Sequence, residues 1–154
     1  MEVDFAPDIH AIVRKVLPNL PFEYIDAKRI ICMRSFGATS RARARIWSFP
    51  KIWQMGLNLP PYYIIEVLSH HFDKLSDDDK TRVIIHELMH IPKNFSGALV
   101  PHRGRYSRIN ARTVEQLFRL FLKSTTYTEG ISLRPLADRN DIWNINYDYI
   151  NTRQ

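Results

Sequence analysis

From Val83 to Ile91 every residue is aliphatic or Met except three: His86, Glu87 and His90. A run of this kind reads as a helix buried on most of its sides, and such a helix must then bury two imidazoles and a carboxylate. Histidines four apart stand one above the other on a single helical face, with Glu87 at the rim beside them. Unpaired, three ionisable groups in such a place would cost several kcal/mol. A divalent metal carrying a bound water satisfies all three. The spacing His-Glu-x-x-His is that of zinc hydrolases, where two imidazoles hold the ion and the carboxylate handles protons.

The ends of this helix are also readable. Ser76 offers a capping hydroxyl, and Asp77, Asp78 and Asp79 place negative charge at the positive end of the helix dipole, which predicts a start at about Asp77. Pro92 predicts that the chain turns soon after His90. The segment Lys93 to Pro101 then supplies turn chemistry in Asn94, Ser96-Gly97 and Pro101, and is long enough to fold back and return His102 to the helix. A catalytic zinc site takes three protein ligands and leaves the fourth position to water, and His102 is the preferred third ligand. Glu115 is the rival, since thermolysin-type peptidases take a glutamate from the next helix. That helix is expected over about Asn110 to Lys123, with Val114, Leu117, Phe118 and Phe121 as its apolar stripe. There Glu115 is already explained by ion pairs with Arg112 and Arg119 at helical spacing. The metzincin pattern, with a glycine and a further histidine soon after the motif, is absent.

At this point the run His86-Glu87-Leu88-Met89-His90-Ile91-Pro92, followed by Phe95-Ser96-Gly97 and His102, resembles the putative phage metallopeptidase family of small zincin-like domains, over about Tyr62 to Leu122. More distantly it is similar to SprT-like and minigluzincin peptidases, in which a third histidine is followed four residues on by an aromatic, as His102 is by Tyr106. The resemblance implies a zincin-like fold, a Zn²⁺ site at His86, His90 and His102, and Glu87 as the catalytic residue. It implies little about substrate.

The rest of the chain fits one domain of the α+β class spanning residues 1–154. A chain of this length buries enough surface for a single core without staples. Ile9, Ile12, Val13, Val16 and Leu17 predict a first helix over Pro7 to Leu17. Strands are expected at Lys28 to Ser35, at Arg43 to Trp53 with Pro50 at a bulge, break or edge, and at Tyr62 to Leu68. The expected architecture is therefore a small mixed sheet of about three strands with helices on one side and the His-Glu-x-x-His helix packed at its centre. Residues 127–154 read as a C-terminal extension docked on the domain through Trp143, Ile145, Tyr147, Tyr149 and Ile150.

No stretch approaches the apolar length of a membrane span, and no membrane partner is expected. The acidic opening Met1-Glu2-Val3-Asp4 is unlike an export signal, and the lone Cys32 suits a reducing compartment, so a cytoplasmic location is expected. His10, His70 and His71 read as surface histidines. Net charge is +6, with fifteen arginines against seven lysines. They cluster at Arg41, Arg43 and Arg45, three that alternation would place on one side of a strand, and at Arg103, Arg105, Arg108 and Arg112. Either cluster could meet nucleic acid.

Two functional readings follow. One is a zinc metallopeptidase in which Glu87 acts as general base, a protein or peptide substrate lies along an exposed strand edge such as Tyr62 to Leu68, and Tyr106 or Arg103 stabilises the oxyanion. The other is a basic nucleic-acid-binding module with a structural zinc and no peptidase activity. Glu87 separates them, because a structural site has no use for a carboxylate beside an open coordination position.

Overall fold

Alternation along the two middle strands decides which face of the sheet becomes the core. The computed structural model describes residues 1–105 and 108–130, with side chains to residue 126. Strands β1 (Glu2–Phe5), β2 (Ile30–Phe36), β3 (Ala44–Trp47) and β4 (Tyr63–Leu68) form one sheet in the order β1-β2-β4-β3. β2 and β4 run parallel at its centre, while β1 and β3 are antiparallel edges. Ile30 and Cys32 of β2 face the same way as Tyr63, Ile65 and Val67 of β4, and all five are buried.

Helices cover that face. α1 (Pro7–Val16) packs against β2 with Ile9, Val13 and Val16, and α4 (Asp77–Met89) packs against β3 and α1 with Ile84, Ile85 and Leu88. α5 (Ala111–Gly130) lies on α4, contributing Val114, Leu117, Phe118 and Phe121 to the same core. Arg82 of α4 joins the two helices, its guanidinium 3.9 Å from the Phe118 ring centre and its Nε 2.8 Å from the Glu115 carboxylate. Two short α-helices, α2 (Lys51–Leu57) after β3 and α3 (Ser69–Phe72) after β4, and two 3-10 turns between α1 and β2 (Leu17–Asn19 and Ala27–Arg29) complete the order. On the rim, Arg34 of β2 pairs with Asp8 and Asp73, tying α1 to the end of α3 and holding the Asp8 carboxyl below its usual range.

The class is α+β with a mixed sheet, and the helical start at Asp77 is where the sequence sets it: the Ser76 hydroxyl accepts from the Asp79 N–H. Three expectations are corrected. The sheet has four strands, not three, because Glu2–Phe5 pairs along β2 through its backbone while all four of its residues stay exposed. The expected strand over Arg43 to Trp53 is strand only to Trp47. Pro50 stands at the break that follows, one of the three places expected for it, and caps α2, where a fixed φ suits the entry to a helix. Arg41 and Arg43 therefore precede β3 rather than alternate along it, and Arg45 is paired with Glu66 at 3.3 Å. Among the described residues no helix is long and apolar enough to cross a membrane. The expected extension over 127–154 begins as the end of α5, which runs to Gly130, and its docking through Trp143 and its neighbours lies outside the described residues.

Candidate metal centre

α4 carries two of the motif residues and ends on the third. His86 and Glu87 lie near its C-terminus, and His90 is the C-cap, its N–H bonded to the Glu87 carbonyl. The helix stops there because Pro92 cannot extend it. The chain turns through Phe95 and Gly97, both at positive φ. At Gly97 the turn admits no side chain, since a Cβ would meet the Phe49 carbonyl and the Gln54 amide.

The returning segment Ser96–Val100 is bound on both sides. Toward α2, Gly97 O accepts the Phe49 N–H, and the Gln54 side-chain amide donates to Ser96 O and Phe49 O, each at 2.8 Å. Toward β4, the Tyr63 hydroxyl accepts from Gly97 N–H and donates to Ala98 O. Its far end meets His90 twice: Val100 N–H donates to His90 O at 2.7 Å, and Val100 O lies 2.6 Å from His90 Nδ1. The carbonyl can only accept, so Nδ1 carries the proton and Nε2 presents a lone pair.

His102 arrives directly after this segment. Its Nε2 is 3.1 Å from that of His86, and the His86 and His90 Nε2 atoms are 3.4 Å apart. Ligand atoms of the three rings all lie within 4.8 Å of one another, a group able to hold a metal ion. The Ile109 N–H donates to the His102 carbonyl at 3.0 Å and an antiparallel bridge joins Arg103 to Arg108, closing the loop behind the third histidine. Burial, then the neighbouring His90 and His102, lowers the His86 imidazole to about 4. Burial lowers His90 as well. Both rings are thus neutral at pH 7, the form in which imidazole binds a metal.

Glu87 is 7% exposed, and burial raises its carboxyl to about 7 against the opposing effect of a hydrogen bond from the Ile46 backbone. β3 can offer that N–H because of its register. Leu68 N–H bonds to Arg43 O, so the hydrogen-bonded pairs with β4 fall at Arg43, Arg45 and Trp47, and the N–H and C=O groups of Ala44 and Ile46 point away from β4.

Of the residues picked from sequence, His86, His90 and His102 converge and Glu87 lies beside two of them in the chain. Glu115 does not join them; its carboxylate is 2.8 Å from Arg82 and 3.4 Å from Arg119. Arg82, one helix away, is the partner that spacing along a single helix could not reveal. Tyr106 lies outside the described residues, and Arg103 is exposed. His10 bonds the Ala27 carbonyl, and the His70 and His71 rings lie 4.0 Å apart, tilted by 46°. Sequence reading missed the bracing by Gln54, Tyr63 and Val100. The bonds of Gln54 to Ser96, Tyr63 to Gly97 and Val100 to His90 join residues 10 to 42 positions apart, which no local pattern marks.

A family model described as Putative phage metallopeptidase matches residues 1–121, and the chain belongs to that family. The match takes in the N-terminal strand and helix, well beyond the span from Tyr62 that the motif alone suggests. Neither the curated proteins nor the solved structures give a match.

Proposed function

From that membership and the convergence of three imidazoles, we propose that the protein is a zinc-dependent peptidase, with His86, His90 and His102 as ligands and Glu87 as general base. The observation that carries this reading is the spacing of the ring nitrogens. Ligands about 2.0–2.1 Å from a tetrahedral ion stand roughly 3.3–3.4 Å apart, and the Nε2 atoms of His86 lie 3.1 and 3.4 Å from those of His102 and His90. The Val100 carbonyl on His90 Nδ1 is the outer partner that metal-bound histidines characteristically keep.

Zinc in this position lowers the pKa of water and polarises a carbonyl. The chain's own contribution is a base of suitable strength and a place for the peptide. Burial raises the Glu87 carboxyl in the metal-free chain, and a bound cation nearby would draw it back down, so that it would be ionised to take a proton from the attacking water and return it to the departing amine. The Ile46 N–H fixes the carboxylate while it does so. Substrate along Tyr62 to Leu68 is ruled out, because β4 is flanked by β2 and β3. β3 is the edge strand beside Glu87, and with the Ile46 N–H taken by Glu87 the outward Ala44 N–H and the Ala44 and Ile46 carbonyls make it the better track for an extended peptide.

Purified protein stripped with a chelator should lose cleavage of a peptide library and regain it with zinc. A library cleaved equally well without metal would defeat the proposal. A separate observation favours contact with a polyanion: Arg103, Arg105, Arg108 and Arg112, which follow the third histidine, are all exposed. If they meet nucleic acid, binding should fall steeply as salt rises and weaken when Arg103, Arg105 and Arg108 are replaced together. No binding at low salt would return them to a solvated surface.

A further inference from the structure

α2 inverts ordinary patterning. Its one buried residue is the polar Gln54, 5% exposed, whereas Ile52 (73%), Met55 (69%) and Trp53 (59%) are turned to solvent, with Leu57 and Leu59 also exposed. The two bonds from the Gln54 amide to the Phe49 and Ser96 carbonyls hold the helix in this orientation. Exposed apolar surface of this kind marks a contact site. It is joined to the metal centre through the backbone. Trp47, partly exposed at the end of β3, shares the outer sheet face with Glu66 and donates to its carboxylate at 2.8 Å, and Leu99, one residue before the Val100 that grips His90, is exposed. Phe49 N–H to Gly97 O joins those two segments.

Charge narrows the occupant. Between Asp26 and Glu66 the chain has seven basic residues and no acidic one. Arg29, Arg34 and Arg45 are paired with acids, but the basic excess that remains would still set like charge against like in a second copy, and α2 itself carries a single cation, Lys51, too little charge to hold a phosphate backbone. Continuity with β3 and with the segment on His90 favours a polypeptide reaching the site over a lipid surface. We propose that α2 is the docking lip for substrate: a peptide paired along β3 continues past Trp47 and lays apolar side chains on Ile52, Trp53 and Met55. The enzyme then selects apolar, neutral or acidic segments, such as those exposed in unfolded or unassembled proteins. This rests on the reading of the chain as a peptidase.

The test uses two quenched fluorescent peptides sharing one scissile bond, one extended by Leu, Val and Phe and the other by Ser, Asn and Gln. Zinc-loaded wild type should prefer the apolar peptide by about tenfold or more in kcat/KM, expressed in KM. The variant Ile52→Ser/Trp53→Ser/Met55→Ser should bring that ratio close to unity. Trp53→Ser alone serves if the triple variant does not fold. Anisotropy binding of the same peptides to Glu87→Gln, with and without the α2 substitutions, reads docking without catalysis. Apolar binding that depends on α2, with no cleavage by wild type, would support the lip while defeating the peptidase reading. Cleavage of both peptides alike by both proteins would overturn the lip alone. If the substitutions abolish self-association in sedimentation, or binding to phosphatidylglycerol vesicles, and leave the peptide ratio unmoved, the surface belongs to a second copy or to lipid and the proposal falls.

Discussion

α4 and α2 break the usual helix pattern in opposite senses. α4 takes ionisable groups inside: Glu87 and His90 are buried in a helix whose other inward residues are Ile84, Ile85 and Leu88. α2 leaves its apolar groups outside and buries an amide. In α4 the departure is visible in the chain, because two histidines and a glutamate interrupt an aliphatic run. In α2 nothing in the chain marks it, because which way an apolar helix faces is settled by long-range bonds, here from Gln54 to Ser96. Buried polarity declares itself in sequence, whereas exposed apolarity has to be seen in the fold. The two are joined by the segment Ser96–Val100, gripped by Gln54 at one end and by His90 at the other.

The largest effect expected at the α4 end separates the two candidates for third ligand. His102→Ala should lower metal affinity by ~100-fold or more, since an under-coordinated ion is poorly completed by water. Glu115→Ala should leave affinity almost unchanged, since it removes only a solvent-screened surface pairing. Titration against a competing chelator decides. An emptied site in Glu115→Ala and a filled one in His102→Ala would place the chain with thermolysin-like ligation.

Next in size is a pH effect in the metal-free protein. Burial lifts the Glu87 carboxyl from 4.5 to about 7. Between those values the unfolded chain has released its proton and the folded chain keeps it, so stability falls as pH rises through the window. Above pH ~7 the full cost, about 3 kcal/mol for a shift of this size, is present. His86 acts in the other direction: burial lowers it from 6.5 to about 4, so its contribution is lost as pH falls across that range. Glu87→Gln should therefore match wild type below pH ~4.5 and grow more stable than it up to pH ~7. Parallel denaturation curves for the two proteins across this range would refute the buried, proton-holding carboxyl.

Gln54→Leu tests the link between the regions. Removing the amide frees the Ser96 and Phe49 carbonyls inside the protein, at about 1–3 kcal/mol. Through Val100 it should also lower metal affinity by ~10-fold, the size seen for lost outer partners of metal-bound histidine. Weaker folding with unaltered metal affinity would show that the two helices act independently. The smallest effect belongs to the outer face of α2, where Ile52→Ser or Met55→Ser should alter stability by no more than about 0.5 kcal/mol. A loss of several times that in thermal or urea denaturation would show these side chains to be packed.

Much of this site was legible beforehand for physical reasons. Ser76 with its acidic followers caps a helix wherever the helix packs, Pro92 ends one, and the turn residues from Asn94 to Pro101 leave His102 free to return. The reading failed where identity does not determine placement. Glu2–Phe5 is wholly exposed and gains its strand character only from pairing with β2. Ile52 and Trp53 suit a strand by composition, yet stand on a helix whose start at Pro50 is a better local signal than their β-propensity. The bond from Ile46 to Glu87 and the clamp on His90 need partners distant in sequence, and no local pattern encodes them.

The central claim is that the three histidines hold the metal while Glu87 moves the proton, and one paired measurement addresses it most directly: bound zinc and peptide hydrolysis in wild type and in Glu87→Gln, purified identically. The account predicts about one zinc per chain in both proteins and hydrolysis in wild type alone. Full zinc-dependent hydrolysis by Glu87→Gln, or wild type that binds no zinc, would contradict it.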